Sequence, residues 1–450
     1  MVPMDIIDYR KLFYDALPDM VSLLEIPSVY DASSANDQMP YGINVCKAFA
    51  YMKQLAEKDG FLVSEYDGHA ISFSHGRGDA RIDVVSHLDV VAADPEDFRI
   101  RIENGKLIGR GTVDMKVPMF LTYLSLKLLR ERHPEIDKEI RIVLGGDEER
   151  TMNDMYYYVS RAGLPDFAFT PDGCFPMGIG EKGAIMWTLD GDYEGVISSL
   201  TGGSQCNIIP DRASCILNDT ASYQRICDYM KQNGIDGKAE IIDRQIRIET
   251  YGTAAHASMP VLGHSATIDL LKIINGVYHD ELCRNLYEIY GDSYGRGFGH
   301  FISEDPMECL SLNLGVLCIS LGKVSAQIDC RYPYDLSAGQ LTEDLQALNR
   351  CGIVLSYNDD PTLCRDDDPY VRIMLETYWD ITGDMSKPVV SGGVSYSKVF
   401  KHCVSFGPVF PDEEHTAHQK GENIDLERCI LMFRVYYETI EKIALMEIEK

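Results

Sequence analysis

Apolar side chains recur at helical spacing near the start of the chain, where Ile6, Phe13, Leu17, Met20 and Leu24 share one side. That period predicts an amphipathic helix over 5–25, stopped by Pro27. A second helix is predicted over 42–59, ended by Asp59-Gly60. Short strands follow at 70–73 and 81–85. Pro118 opens an apolar helix that runs to about Arg132 and reads as buried on most sides. A strand at 139–144, a helix over 151–162 and a short strand at 167–169 complete the first part. This alternation predicts an α/β layer with a mostly parallel sheet.

The middle has a different rhythm. Residues 207–217, 240–252 and 311–331 alternate as strands, the last pair turning at Gly322-Lys323, and helices fall near 221–233 and 265–277. That is an α+β pattern with antiparallel pairing. After 368 the first rhythm returns, with a helix over 369–381, a strand at 404–406 and a helix over 425–446. The simplest division is one α/β domain, residues 1–184 and 368–450, split by an inserted α+β domain, residues 185–367.

Composition adds constraints. The chain has 450 residues, 45% apolar and 25% charged, ordinary proportions for a globular protein with a large core. Its charge is not ordinary: 70 acidic against 42 basic residues give a net −28. Such a surface repels phosphate backbones and anionic lipid, which excludes nucleic acid and membrane surfaces as expected partners. The 13 cysteines are odd in number and form no CxxC pair, so reduced thiols and a cytoplasmic location are expected. The N-terminal residues lack a secretory pattern, and no stretch is long and apolar enough to span a membrane.

Some of the acid is placed where chemistry gathers. Four segments end predicted strands or open loops: SHLDVV with His87 and Asp89, GRGTVDMK with Asp114, GGDEER with Glu148 and Glu149, and TPDG with Asp172. In an open α/β sheet, ligands collect beyond the carboxyl ends of the strands. Each feature alone has a plainer reading. A strand-end histidine can be a satisfied polar residue, an acidic run can favour a helix start, and Asp before Gly can simply turn the chain.

The order SHLDVV, GRGTVDMK, GGDEER, TPDG, AAHASMP, RYP, SGGVSYSK and AHQKGEN resembles the ArgE/DapE/aminoacylase/carnosinase-type metallopeptidases. Within them it is most similar to the PepV-like bacterial dipeptidases. IPSV near the start and the stretch after the acidic pair fit that subgroup, and the likeness runs from about residue 5 to residue 445. The resemblance implies a catalytic α/β domain holding two divalent ions, zinc first, with manganese or cobalt as alternatives, and an inserted lid. His87 and Asp172 resemble the ligands of one ion, Glu149 and His418 those of the other, and Asp114 the carboxylate shared by both. Glu148 resembles the general base, and Asp89 the acid that holds the His87 ring. The Asp114-Met115 peptide is expected to be cis. In the lid, His256 resembles the residue that stabilises the reacting oxyanion. Asn207 and Arg331 resemble the groups that hold the substrate's free carboxylate, and Gly392-Gly393 could offer it backbone N–H groups.

The pattern departs at Val117, Val394, Ser395 and Lys398, and Phe98 stands in a short stretch that lacks the usual tryptophan. These positions bear on pocket shape. His415 competes with His418 as a ligand; His418 is preferred because HQxxE, with Glu422, follows it. The expected activity is dipeptide hydrolysis, with an N-acyl-amino-acid amidohydrolase as the alternative and a non-catalytic relative behind both. The expected partner is a small peptide, and the chain is a monomer or a lid-mediated homodimer.

Overall fold

The computed structural model describes residues 7–304 and 308–447. The chain separates into two compact units. The first comprises 1–180, 363–389 and 394–450, and the second 181–362 with the short return 390–393. The divisions fall at Gly180/Glu181 and Thr362/Leu363, several residues before the expected 185 and 368.

The first unit is built on a mixed nine-stranded sheet. Its inner strands are parallel: Ala80–His87 lies between Lys138–Gly145 and Phe167–Thr170, and Cys403–Ser405 extends the set beside Phe167–Thr170. Ala70–His75 pairs antiparallel with Lys138–Gly145, and Val63–Tyr66 pairs antiparallel with Ala70–His75. The inner strands are buried on both faces, which is why they read as apolar runs rather than alternations.

Helix Lys116–Arg132 buries nearly its whole first three turns, and Leu426–Leu445 packs against it and against Pro369–Thr382. Tyr9–Leu24 begins at Asp8, whose carboxylate accepts from Lys11 N at 2.9 Å. A small three-stranded sheet, Arg101–Glu103, Lys106–Ile108 and Asn423–Asp425, draws the segment before Asp114 beside the segment after His418.

The second unit is an eight-stranded, wholly antiparallel sheet. Its order is Gly237–Ile242, Gln245–Tyr251, Arg212–Leu217, Ile197–Gly202, Ser311–Ser320, Lys323–Tyr332, Gly183–Asp192 and Gly352–Asp359. Helices Tyr223–Gln232, Ala266–Tyr278, Glu281–Tyr290 and Ala338–Leu348 belong to the same unit. Its core gathers Trp187, Leu200, Leu270, Ile274, Leu286 and Ile328, all fully buried. The return segment joins it through Lys182 N–H, which donates to Ser391 O at 2.8 Å. Gly392 and Gly393 therefore group with the inserted unit, although the sequence division assigned them to the α/β domain.

No helix among the described residues is long and apolar enough to cross a membrane. None of the 13 cysteines, all among the described residues, forms a disulfide.

Candidate metal centre

The parallel strands end at one edge, and their carboxyl ends deliver the pocket. His87 is the last residue of its strand, Gly145 the last before Glu148-Glu149, and Thr170 the last before Asp172. Asp114 precedes helix Lys116–Arg132, and the Asp114-Met115 peptide is cis.

Asp114 lies between two imidazoles. Its Oδ1 is 3.0 Å from His87 Nε2, and its Oδ2 is 2.8 Å from His418 Nε2. Glu149 Oε1 is 3.0 Å from the same His418 nitrogen, and Asp172 Oδ2 is 3.6 Å from His87 Nε2. His418, rather than His415, makes these contacts, from a left-handed backbone at φ 64°. Two sets of ligand atoms come within 4.8 Å of one another: His87, Asp114 and Glu149, and His87, Glu148 and Asp172. Glu148 thus stands within ligand reach as well as beside the ligands.

The charges of this pocket are mutually dependent. Burial pushes the Glu148 carboxyl well up, and burial followed by the Asp114 charge raises Asp172. Hydrogen bonds to Asp114 and Glu149 raise His418 to about 10. Burial works to lower His87, but Asp114, Asp172 and Asp89 together push it well above the ordinary imidazole value.

The residues fit divalent ions on two grounds. Their types are imidazole and carboxylate, the donors that borderline and hard cations take. Also, His87 Nε2 and Asp114 Oδ1 are fully buried and have no hydrogen-bond partner, although they face one another. A pair of buried polar atoms left in this way is costly unless something else satisfies them.

Buttresses surround the pocket. His87 Nδ1 is 2.9 Å from the Asp89 carbonyl and 3.5 Å from its carboxylate. That carboxylate also accepts from the N–H groups of Glu148 and Glu149, at 3.4 and 3.1 Å. Glu422 is buried, pairs with Arg110 at 2.6 Å and accepts from Val113 and Asp114 N–H at 2.7 and 3.1 Å. Ser28, from IPSV, donates to Leu88 O at 2.5 Å and accepts from Val90 N–H, which clamps the segment following His87. Sequence reasoning left Ser28 without a role. Its signal was the motif alone.

The second unit gathers its own set. Asn207 O accepts from Ala257 N–H at 2.9 Å, and Ile208 bridges to His256, so the two loops are stitched together. His256 Nδ1 accepts from Ser258 N–H at 3.2 Å and lies 2.7 Å from Ser258 Oγ. An Nδ1 that accepts leaves Nε2 as the protonated nitrogen of the neutral ring. Burial, then the Arg331 charge, lowers this imidazole's pKa and favours that neutral form.

Arg331 is held by Asp329 through Nε at 3.1 Å and Nη2 at 3.0 Å. Asp329 was missed in the sequence, though two residues apart on a strand share a face. Gly393 N–H donates to Ser391 Oγ at 3.0 Å, so this amide already has an acceptor. Gly392 lies against Ser258, to which an added Cβ would approach within 3.0 Å.

An α/β frame whose parallel strands bring carboxylates and imidazoles to one edge defines the class, a scaffold with a pocket of residues that could hold metal. Residues 84–442 match the pattern of Peptidase family M20/M25/M40, and the chain belongs to that family, whose peptidases are metal-dependent. Several relatives bear the name "Putative dipeptidase", two of which illustrate the likeness. One, from Staphylococcus haemolyticus, is 28% identical and covers 94% of this chain and 96% of its own; the other, YtjP of Bacillus subtilis, is 26% identical and covers 96% and 97%. Human carnosine dipeptidase 1 shares the fold at a TM-score of 0.56 and 14% identity, over 98% of this chain and 100% of that one. The metallo-carboxypeptidase Sso-CP2 of Sulfolobus solfataricus does so at 0.55 and 16%, over 96% and 100%.

Proposed function

We propose that the protein is a metal-dependent dipeptidase that hydrolyses small peptides bearing a free C-terminal carboxylate. The observation that carries this reading is Asp114, shared between His87 and His418 with Glu149 and Asp172 alongside. His87 and Asp172 would hold one divalent ion, Glu149 and His418 the other, and Asp114 both. Ions held there would supply Lewis acidity toward the peptide carbonyl.

The chain's own groups do the rest. Glu148 takes the proton of the attacking water and returns it to the leaving amine. His256, with Nδ1 occupied by Ser258, donates from Nε2 to the developing oxyanion. Arg331, its fork oriented by Asp329, and Asn207 recognise the free carboxylate. The names of the relatives, which match nearly end to end, favour dipeptides over acyl amino acids.

The test is a panel of dipeptides and N-acyl amino acids, run after chelation with zinc, manganese or cobalt added back. Dipeptide hydrolysis should vanish on chelation and return with metal, whereas preferential release of acyl groups would replace this reading with the amidohydrolase one. Glu148→Gln should lower kcat by about 10²–10⁴-fold while bound metal is retained. Full activity in that variant would remove Glu148 from the role of base.

A further inference from the structure

The turn that carries Glu148 and Glu149 has a second anchor that the peptidase reading does not use. Asp154 lies in the first turn of helix Asn153–Ala162 and is completely buried. Its Oδ2 accepts from Gly146 N–H at 2.6 Å and Asp147 N–H at 2.9 Å, and its Oδ1 accepts from Met155 N–H at 2.7 Å. The Tyr396 hydroxyl donates to the same Oδ2. Tyr396 belongs to SGGVSYSK, is itself buried, and sets its ring edge-on to His87 with centroids 6.2 Å apart.

The fit leaves no room for side chains at the two glycines. A Cβ on Gly145 would lie 2.2 Å from both Asp154 Oδ2 and Tyr396 Oη, and one on Gly146 would lie 2.6 Å from Val45. Four successive N–H groups, of residues 146 to 149, are therefore divided between two carboxylates. Asp154 takes the first two and Asp89 the second two.

We propose that Asp154, supported by Tyr396, is a positioning residue that fixes the Gly145–Glu149 turn and so aims Glu148 and Glu149 at the metal pocket. A buried carboxylate is expensive, and here it buttresses the one turn that carries two functional acids. Metal sites lose affinity when the groups orienting their ligands are removed. The catalytic consequence rests on the dipeptidase reading. The mechanical one does not.

The experiment compares the full-length protein with Asp154→Asn and Tyr396→Phe. Asparagine keeps the shape but offers one accepting oxygen instead of two. Amide exchange of the 145–149 turn in metal-free protein should accelerate about tenfold or more in Asp154→Asn and severalfold in Tyr396→Phe. Titration with Co(II), read by its visible absorption, should show affinity lowered about 10–100-fold with an altered band. In dipeptide hydrolysis, kcat should fall with KM little changed.

A folded Asp154→Asn with wild-type exchange and a wild-type Co(II) spectrum overturns the proposal. If Asp154→Asn does not fold, Tyr396→Phe decides alone, and identity with wild type in both readouts overturns it. A wild type that binds Co(II) yet cleaves no dipeptide defeats the functional reading, while exchange and the spectrum still judge the anchor.

Discussion

Asp83 shows how a single buried acid couples this fold to pH. It lies in strand Ala80–His87, fully buried, with Arg81 Nε at 3.1 Å and the Tyr158 hydroxyl at 2.8 Å. Burial outweighs the Arg81 charge and pushes its carboxyl up to about 6. An acid that is harder to ionise folded than unfolded holds extra protons in the folded state, so stability falls as pH rises through its window. That window runs from the ordinary carboxylate value to about 6, and the loss is complete above it. Replacing the group by a neutral isostere removes the term. The stability difference between wild type and Asp83→Asn, measured by urea unfolding, should shift against wild type as pH climbs from 4 to 7 and then level off. A difference flat across that range would show that Asp83 is ionised at no extra cost.

At the scale of elements, the long helix Leu426–Leu445 depends on its first turn. Asp425 is its N-cap, accepting from Glu427 N–H at 2.8 Å and Arg428 N–H at 3.2 Å. Asp425→Ala should lower the unfolding free energy by about 1 kcal/mol, seen as a lower urea midpoint with unchanged slope. An unmoved midpoint would mean that packing alone sets the helix start.

The elements also show what the sequence could disclose. Helices with a broad apolar stripe, such as Ile43–Lys58 and Pro369–Thr382, were legible within one or two residues. The segment 240–252, expected as one strand, is a hairpin of Gly237–Ile242 and Gln245–Tyr251. Its turn residues, Asp243 and Arg244, both have positive φ without a glycine to announce it. The turn expected at Gly322-Lys323 has Leu321 and Gly322 at its centre instead. Helix Ala338–Leu348 went unseen because it buries only Ala338, Leu341 and Leu345. The residues proposed as metal ligands could be named from the sequence because each sits in a short motif, His87 at a strand end and Asp114 and His418 in loops. Asp329, Asp154 and Ser28 were not, because what they do appears only when segments distant in sequence meet.

Across the whole molecule, the net charge of −28 includes, among the described residues, a gathering of carboxylates and imidazoles that could hold cations. A ligand that binds only the folded state stabilises it, by about 2.7 kcal/mol at a hundredfold excess over Kd. The melting temperature of chelated protein should therefore rise with added zinc or manganese, and Asp114→Asn should blunt the rise. A melting temperature indifferent to both metals would argue that the pocket holds none.

The brief return of residues 390–393 has a bearing on how such a protein could be recombined. The chain passes between its two units four times, at 180/181, 362/363, 389/390 and 393/394. An exchange of residues 181–362 with a relative would leave the native Val390–Gly393 against a foreign Lys182 and Ser258. The inserted unit is thus inherited in two pieces. A graft that carries both should keep the Lys182–Ser391 hydrogen bond and the Gly392–Ser258 contact, and one that carries only the longer piece must fit a segment it did not evolve with.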